Sequence, residues 1–117
     1  MGNPENVSLV QNMHELILAK QFDEVDSLFS DSVVFRNADG STTEGIAAVK
    51  EVMETGYSKV TFENYRLSVN LAVTGDNNDE WVLLKDQVDV ISQKGKKTSE
   101  LYMEAFMILE GNIVLMN

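Results

Sequence analysis

Glu104, Asp89, His14 and Asn37 are the residues of this chain whose types and settings could do chemistry. Glu104 interrupts the apolar run "LYMEAFMIL". A carboxyl held in such a wall could donate a hydrogen bond or a proton. With Lys85 expected across the strands, an internal ion pair is the simpler reading. Asp89, in "DQVDV", could orient a ligand or lie at a solvated rim. Asn37 closes the strand-like "SVVFRN", where an amide can hold a ligand or water but cannot shuttle a proton near neutral pH. Satisfying strand-end backbone groups is its simpler role. His14 lies on a helical stripe, where a packed or interfacial histidine is commoner than a base. With one His and no Cys, neither a metal centre nor a cofactor is expected.

The elements that must position these groups are legible from periodicity. Asn3-Pro4-Glu5 reads as a helix start, followed by Val10, Met13, His14 and Ile17 at helical spacing. "FDEVDSLF" repeats the pattern briefly. Val33, Phe35 and Asn37 then alternate with Val34 and Arg36 as in a strand, and "ADGS" supplies a turn. Gly45 to Glu54 is a third helix, expected to close at Gly56. From Val60 onward the period is two, with a phase change that predicts a bulge near Glu63-Asn64. Strands follow over Trp81 to Ser92 and Thr98 to Leu109, with a short last one after Glu110-Gly111-Asn112. The order predicts a single α+β domain over residues 1–117, an antiparallel sheet with its helices on one side.

The hairpin around "SQKGKK" decides which side chains share a face. A two-residue turn at Lys94-Gly95 sets Leu83 opposite Phe106, Lys85 opposite Glu104, Gln87 opposite Tyr102 and Val88 opposite Leu101. One face then collects Trp81, Lys85, Gln87, Asp89, Tyr102, Glu104 and Phe106, a mixture suited to a cavity wall. The other collects Val82, Leu84, Val88, Leu101, Met103 and Met107, which a partner subunit would cover. Asp86, alone on that aliphatic face, is expected at a dimer rim. A register one residue off would make it the pocket acid in place of Asp89.

Bulk properties exclude several classes. Nineteen acids against nine bases, net charge −10, repel phosphate backbones, so no nucleic-acid partner is expected. Ala105 to Leu109 is the longest apolar run and is too short to span a bilayer. The polar, acidic "MGNPENVS" is not expected to act as a secretory signal. With no cysteines, the cytoplasm is the expected compartment.

The element order and "LFSDSVVFRNADGSTTEGIAAVKEV" resemble the nuclear-transport-factor-2-like superfamily, including its SnoaL-like members. The resemblance implies a cone-shaped α+β barrel, its curved sheet wrapped around helices, with an internal pocket and dimerisation through the outer sheet face. In the steroid Δ-isomerase branch the general base is an Asp where this chain has Asn37. A hydrogen-bonding Asp of that branch matches Glu104, and its partner tyrosine falls at Met13, beside His14. In the limonene-epoxide-hydrolase branch a Glu-Arg-x-Asp-Val motif resembles Asp86 to Val90: Asp89 matches the acid, Gln87 replaces the arginine and Asn37 matches a water-positioning asparagine. The other aspartate of that branch falls just beyond Asn117. Neither catalytic set is intact. The expectation is a domain that binds a small apolar molecule, its pocket lined by Asn37, Gln87, Tyr102, Phe106, Phe35, Trp81, Lys85 and His14. The alternatives are an isomerase, cyclase or epoxide hydrolase using Asp89 and Glu104 on a polyketide, steroid or terpenoid, and a non-catalytic dimerisation module.

Overall fold

Proline at the first helical position and an Asn3 side chain accepting from the Glu5 N–H at 3.0 Å start α1, Pro4–Leu18. In this computed structural model, which describes residues 2–37 and 39–117, α1 lays Val10 and Met13 into the core. The second helical pattern is a 3₁₀ helix, Phe22–Leu28, burying Phe22 and Val25. β1 is Phe29–Arg36 and turns back through Asn37 into a short β2, Thr42–Glu44, which periodicity did not reveal. Ala38, in the expected "ADGS" turn, lies outside the described residues. α2 runs Ile46–Tyr57. It passes through Gly56 rather than ending there, and stops at Ser58.

Three long strands follow, β3 Thr61–Thr74, β4 Glu80–Ile91 and β5 Lys97–Leu109, with β6 Asn112–Met116 closing the chain. The sheet order is β2-β1-β6-β5-β4-β3. It is mixed rather than wholly antiparallel, because β1 pairs with β6 in parallel. The curled sheet wraps one face around the helices as the cone-shaped α+β fold requires. A register shift between Glu63 and Arg66, with Asn64 at φ 54°, is the expected bulge. A second shift between Leu67 and Val69 was not signalled by the apolar pattern.

The β4–β5 hairpin departs from the expected register by one residue. Leu84, not Lys85, stands opposite Glu104, and Asp86 stands opposite Tyr102. The cause is the turn: Ser92 and Lys96 close a three-residue loop, with Gly95 at φ 82°. An odd loop slips β5 by one position against β4, and one position exchanges faces. Val82, Leu84, Asp86 and Val88 therefore share the helix-covered face with Tyr102, Glu104, Phe106 and Ile108. Trp81, Leu83, Lys85, Gln87 and Asp89 share the outer face with Leu101, Met103, Ala105 and Met107. Phe106 is fully buried, a burial that stabilises by about 1.5–3 kcal/mol. Val82, Leu84 and Val88, expected at a subunit interface, are instead part of this core.

Candidate functional site

The helical stripe of α1 carries His14 over the inner face of the sheet, where its ring stacks on Tyr65 and meets Phe106 edge-on. Its Nδ1 lies 3.0 Å from the Val10 carbonyl one turn earlier. A carbonyl only accepts, so Nδ1 carries a proton and Nε2 faces away, into the sheet. There Nε2 stands 3.6 Å from Asp86 Oδ2 and 3.6 Å from Glu104 Oε1, within ion-pair reach of both and bonded tightly to neither.

Asp86 is supplied by β4 and is 2% exposed. Tyr65, from the β3 segment that the bulge turns inward, donates its hydroxyl to Asp86 Oδ2 at 2.6 Å. Asp86 Oδ1 is buried with no hydrogen-bond partner. Burial pushes the Asp86 carboxyl above the ordinary aspartate range; the Tyr65 hydroxyl opposes the rise, Glu104 adds to it and His14 opposes it again. Burial alone would lower His14, but Glu104, the Val10 carbonyl and Asp86 together hold it above its ordinary value. Tyr65 is pushed up by burial and by its bond to Asp86. Burial, with the charges of Glu104, Tyr102 and Asp86, pushes Tyr57 up to about 12. All three tyrosines of the chain thus feel the same two carboxylates.

Beside this cluster a cavity of about 220 Å³ opens between α1 and β3, lined by His14, Tyr65, Leu18, Leu67, Asn70 and Leu84 among others. Its wall is mixed: Gln11, Glu15 and Asn70 stand beside Leu18, Leu67 and Leu84, and His14 and Tyr65 are the residues it shares with the cluster of acids behind them.

Of the residues singled out in the sequence, the structure brings His14, Glu104, Tyr102 and Phe106 to this face. Asp89 lies on the other one, held by Asn64 at 2.9 Å and Arg66 at 3.0 Å, with Lys97 at 3.7 Å. The Asn64 amide, more than the cations, keeps its carboxyl below the usual range. Gln87 donates to Ser99 at 2.7 Å, Trp81 to Asp79 at 2.7 Å, and Lys85 is exposed; all three are on the outer face. Asn37 is turned into its own hairpin, donating to Ser41 at 3.0 Å and Thr43 at 3.2 Å. Phe35 packs at the edge of the core. The two acids that share the inner face are therefore Asp86 and Glu104, with Asp89 on the outer one, and Lys85 faces away from Glu104 rather than pairing with it across the sheet. Alternation did not assign Tyr65 to a site, and it named Asp86 as the inward-facing acid only for a register one residue off, which is the register observed. The isolated acid in a strand of aliphatics was the available signal for Asp86.

No family model matches the sequence, and no curated protein matches it. Solved structures do. An NTF2-like protein of unknown function from Exiguobacterium sp. 255-15 superposes with TM-score 0.77 at 21% identity, over 92% of this chain and 93% of that one. An LEH-like epoxide hydrolase of M. tuberculosis gives TM-score 0.76 at 19% identity, over 97% of this chain and 80% of that one. SalBIII, an epoxide hydrolase/cyclase-like enzyme of pyran ring formation in the polyether salinomycin, gives 0.74 at 17% identity, over 99% and 91%. At such identities the likeness is one of architecture. The chain has the nuclear-transport-factor-2-like fold.

Proposed function

We propose that the chain binds a small, mostly apolar molecule in the cavity between α1 and β3, anchored by one or two polar groups at the His14–Asp86–Glu104 cluster. The observation that carries this reading is the buried Asp86 carboxyl, fixed by Tyr65 at 2.6 Å and 3.6 Å from the His14 ring, behind a hollow in which Leu18, Leu67 and Leu84 alternate with a few polar side chains. Retaining a charge there opposes folding, and a binding role is what such a cost supports. At about 220 Å³ the hollow is smaller than the roughly 300–1,000 Å³ of drug-sized sites, which favours a ligand below that size. Ligand-observed NMR with small cyclic alcohols, ketones and epoxides tests it. Binding that vanishes when Leu67→Trp fills the hollow is expected. Fragments that bind the variant equally well would place the ligand elsewhere.

Acid–base catalysis is the second reading, favoured by the different preferences of the two groups: His14 tends to hold a proton, while Asp86 is a carboxylate of raised basicity. Such a pair could open an epoxide or move a proton beside a carbonyl, in line with the epoxide-hydrolase and cyclase-like neighbours. Turnover of small epoxides or hydroxy-enones that disappears in both Asp86→Asn and Glu104→Gln would support it.

A second copy of the chain is the proposed cover for the outer face, where Val69, Leu71, Leu83, Leu101 and Met103 are exposed together. Sedimentation at micromolar concentration tests this, and a monomer throughout would oppose it. The lack of cysteines supports the cytoplasm as compartment. Among the described residues no helix is long and apolar enough to cross a membrane.

A further inference from the structure

His14 Nε2, one Asp86 oxygen and one Glu104 oxygen are three ligand atoms within 4.8 Å of one another. With Nδ1 protonated towards Val10, the ring in its neutral form turns a bare lone pair to two carboxylates. Three lone pairs facing inward repel unless a positive centre lies between them. A proton on Nε2 is one such centre; a metal ion is the other.

We infer that these three groups form a binding site for one first-row divalent cation, with zinc the preferred ion. Three independent features of the chain carry this. The distances fit: donors about 2.0–2.2 Å from zinc at tetrahedral angles stand roughly 3.3–3.6 Å apart, both histidine–carboxylate separations are 3.6 Å, and the two carboxylates come within 4.8 Å of each other. The remaining adjustment falls on Glu104, the more exposed of the two acids. The surrounding shell fits as well. A ligating imidazole ordinarily donates its other N–H to a carbonyl, as His14 does to Val10, and a ligating carboxylate is itself hydrogen-bonded, as Asp86 is by Tyr65. Finally, Asp86 is 2% exposed and its Oδ1 is a buried acceptor with no partner among the described residues, which a cation engaging both oxygens of the carboxylate would satisfy.

One nitrogen and two oxygens without sulfur suit zinc, cobalt or manganese rather than copper(I). Two carboxylates and a neutral imidazole against a divalent ion give a neutral unit, exposed only on its Glu104 side. The cavity beside His14 leaves the fourth coordination position to water or to a ligand atom, the arrangement of an open rather than a closed zinc site. The sequence expectation of no metal counted histidines and cysteines, and it is the carboxylates that complete this set. Metal uptake is measured without any organic ligand, so this inference and the small-molecule reading fail separately.

The test uses the full chain freed of metal by a chelator, titrated with zinc chloride and with cobalt chloride in excess magnesium to suppress loose binding to an acidic surface. One equivalent of cobalt with the visible absorption of a four- or five-coordinate ion is expected. So is a zinc-dependent shift of the imidazole Nε2 resonance, which the chain's one histidine makes unambiguous. Asp86→Asn and His14→Gln should each weaken binding at least tenfold, while Asp89→Asn leaves it unchanged. Uptake that leaves the Nε2 resonance still, or that survives both ligand variants, overturns the inference as surface binding. So does an absence of stoichiometric uptake. Should either variant fail to fold, the wild-type Nε2 resonance decides alone.

Discussion

Tyr65 reaches across the β3–β4 pair and donates its hydroxyl to Asp86 at 2.6 Å, the one side-chain hydrogen bond that carboxyl receives among the described residues. The bond exists because the bulge near Asn64 rephases β3 and turns Tyr65 inward. Tyr65→Phe keeps the ring stacked on His14 and removes only this donor. The Asp86 carboxyl, which the hydroxyl holds down against burial, should then titrate higher. Leaving both its oxygens without a donor should cost about 1–3 kcal/mol. Carboxyl-carbon NMR and urea unfolding measure the two effects. A variant with unchanged Asp86 titration would show that the bond is not formed in solution.

The single histidine offers a second check. Burial lowers its pKa and Glu104 contributes the largest opposing effect, so Glu104→Gln should bring the His14 midpoint down. The linkage sign is fixed. A histidine raised on folding stabilises fully below the unfolded value of about 6.5 and loses that contribution as pH climbs through the folded value. Melting temperature of the wild type should therefore fall with pH across this window, and fall less in Glu104→Gln. An imidazole NMR titration reads the same quantity directly. A midpoint that does not move would remove Glu104 from contact with the ring.

The outer face gives a prediction with the fold as its own control. Met103 is 77% exposed and stands opposite Lys85, beside Leu83 and Leu101. Met103→Lys should change folding stability by no more than about 0.5 kcal/mol. It should weaken self-association at least tenfold, because two such charges would meet across a symmetric contact. Equal sedimentation of variant and wild type would dismiss this face as the contact.

How much of this was legible in sequence turns on a few residues. Helix starts, strand positions and the bulge at Asn64 follow from caps and periodicity, which are local signals. The β4–β5 register does not, because "SQKGKK" accommodates loops of different length and only the closure of Ser92 on Lys96 distinguishes them. The Ser92 hydroxyl accepting from the Lys96 N–H at 3.1 Å stabilises the odd loop, an interaction no hydrophobic pattern encodes. The register also had a chemical pointer. Carried one position past Val88 opposite Leu101, the expected pairing sets Asp89 beside Glu100, two like charges, whereas the observed one places it opposite Ser99 and within reach of Arg66 and Lys97. The parallel β1–β6 pair was hidden for a different reason: its strands lie at opposite ends of the sequence, and a pattern of five residues carries no direction.

The sharpest separation is between two aspartates three positions apart on one strand. Asp86 faces the cavity side and Asp89 faces away, already paired with Arg66 at 3.0 Å. Replacing Asp89 by Asn removes an ion-pair partner and should lower stability. It should leave any fragment bound in the hollow within twofold of its wild-type affinity. Replacing Asp86 by Asn should do the reverse. Burial opposes the ionised carboxyl, so the neutral amide should fold at least as stably at pH 8, yet bind the same fragment at least tenfold more weakly. Paired thermal melts and NMR affinities for the two variants check both halves. If Asp89→Asn abolished binding while Asp86→Asn spared it, the cavity between α1 and β3 would not be the binding site.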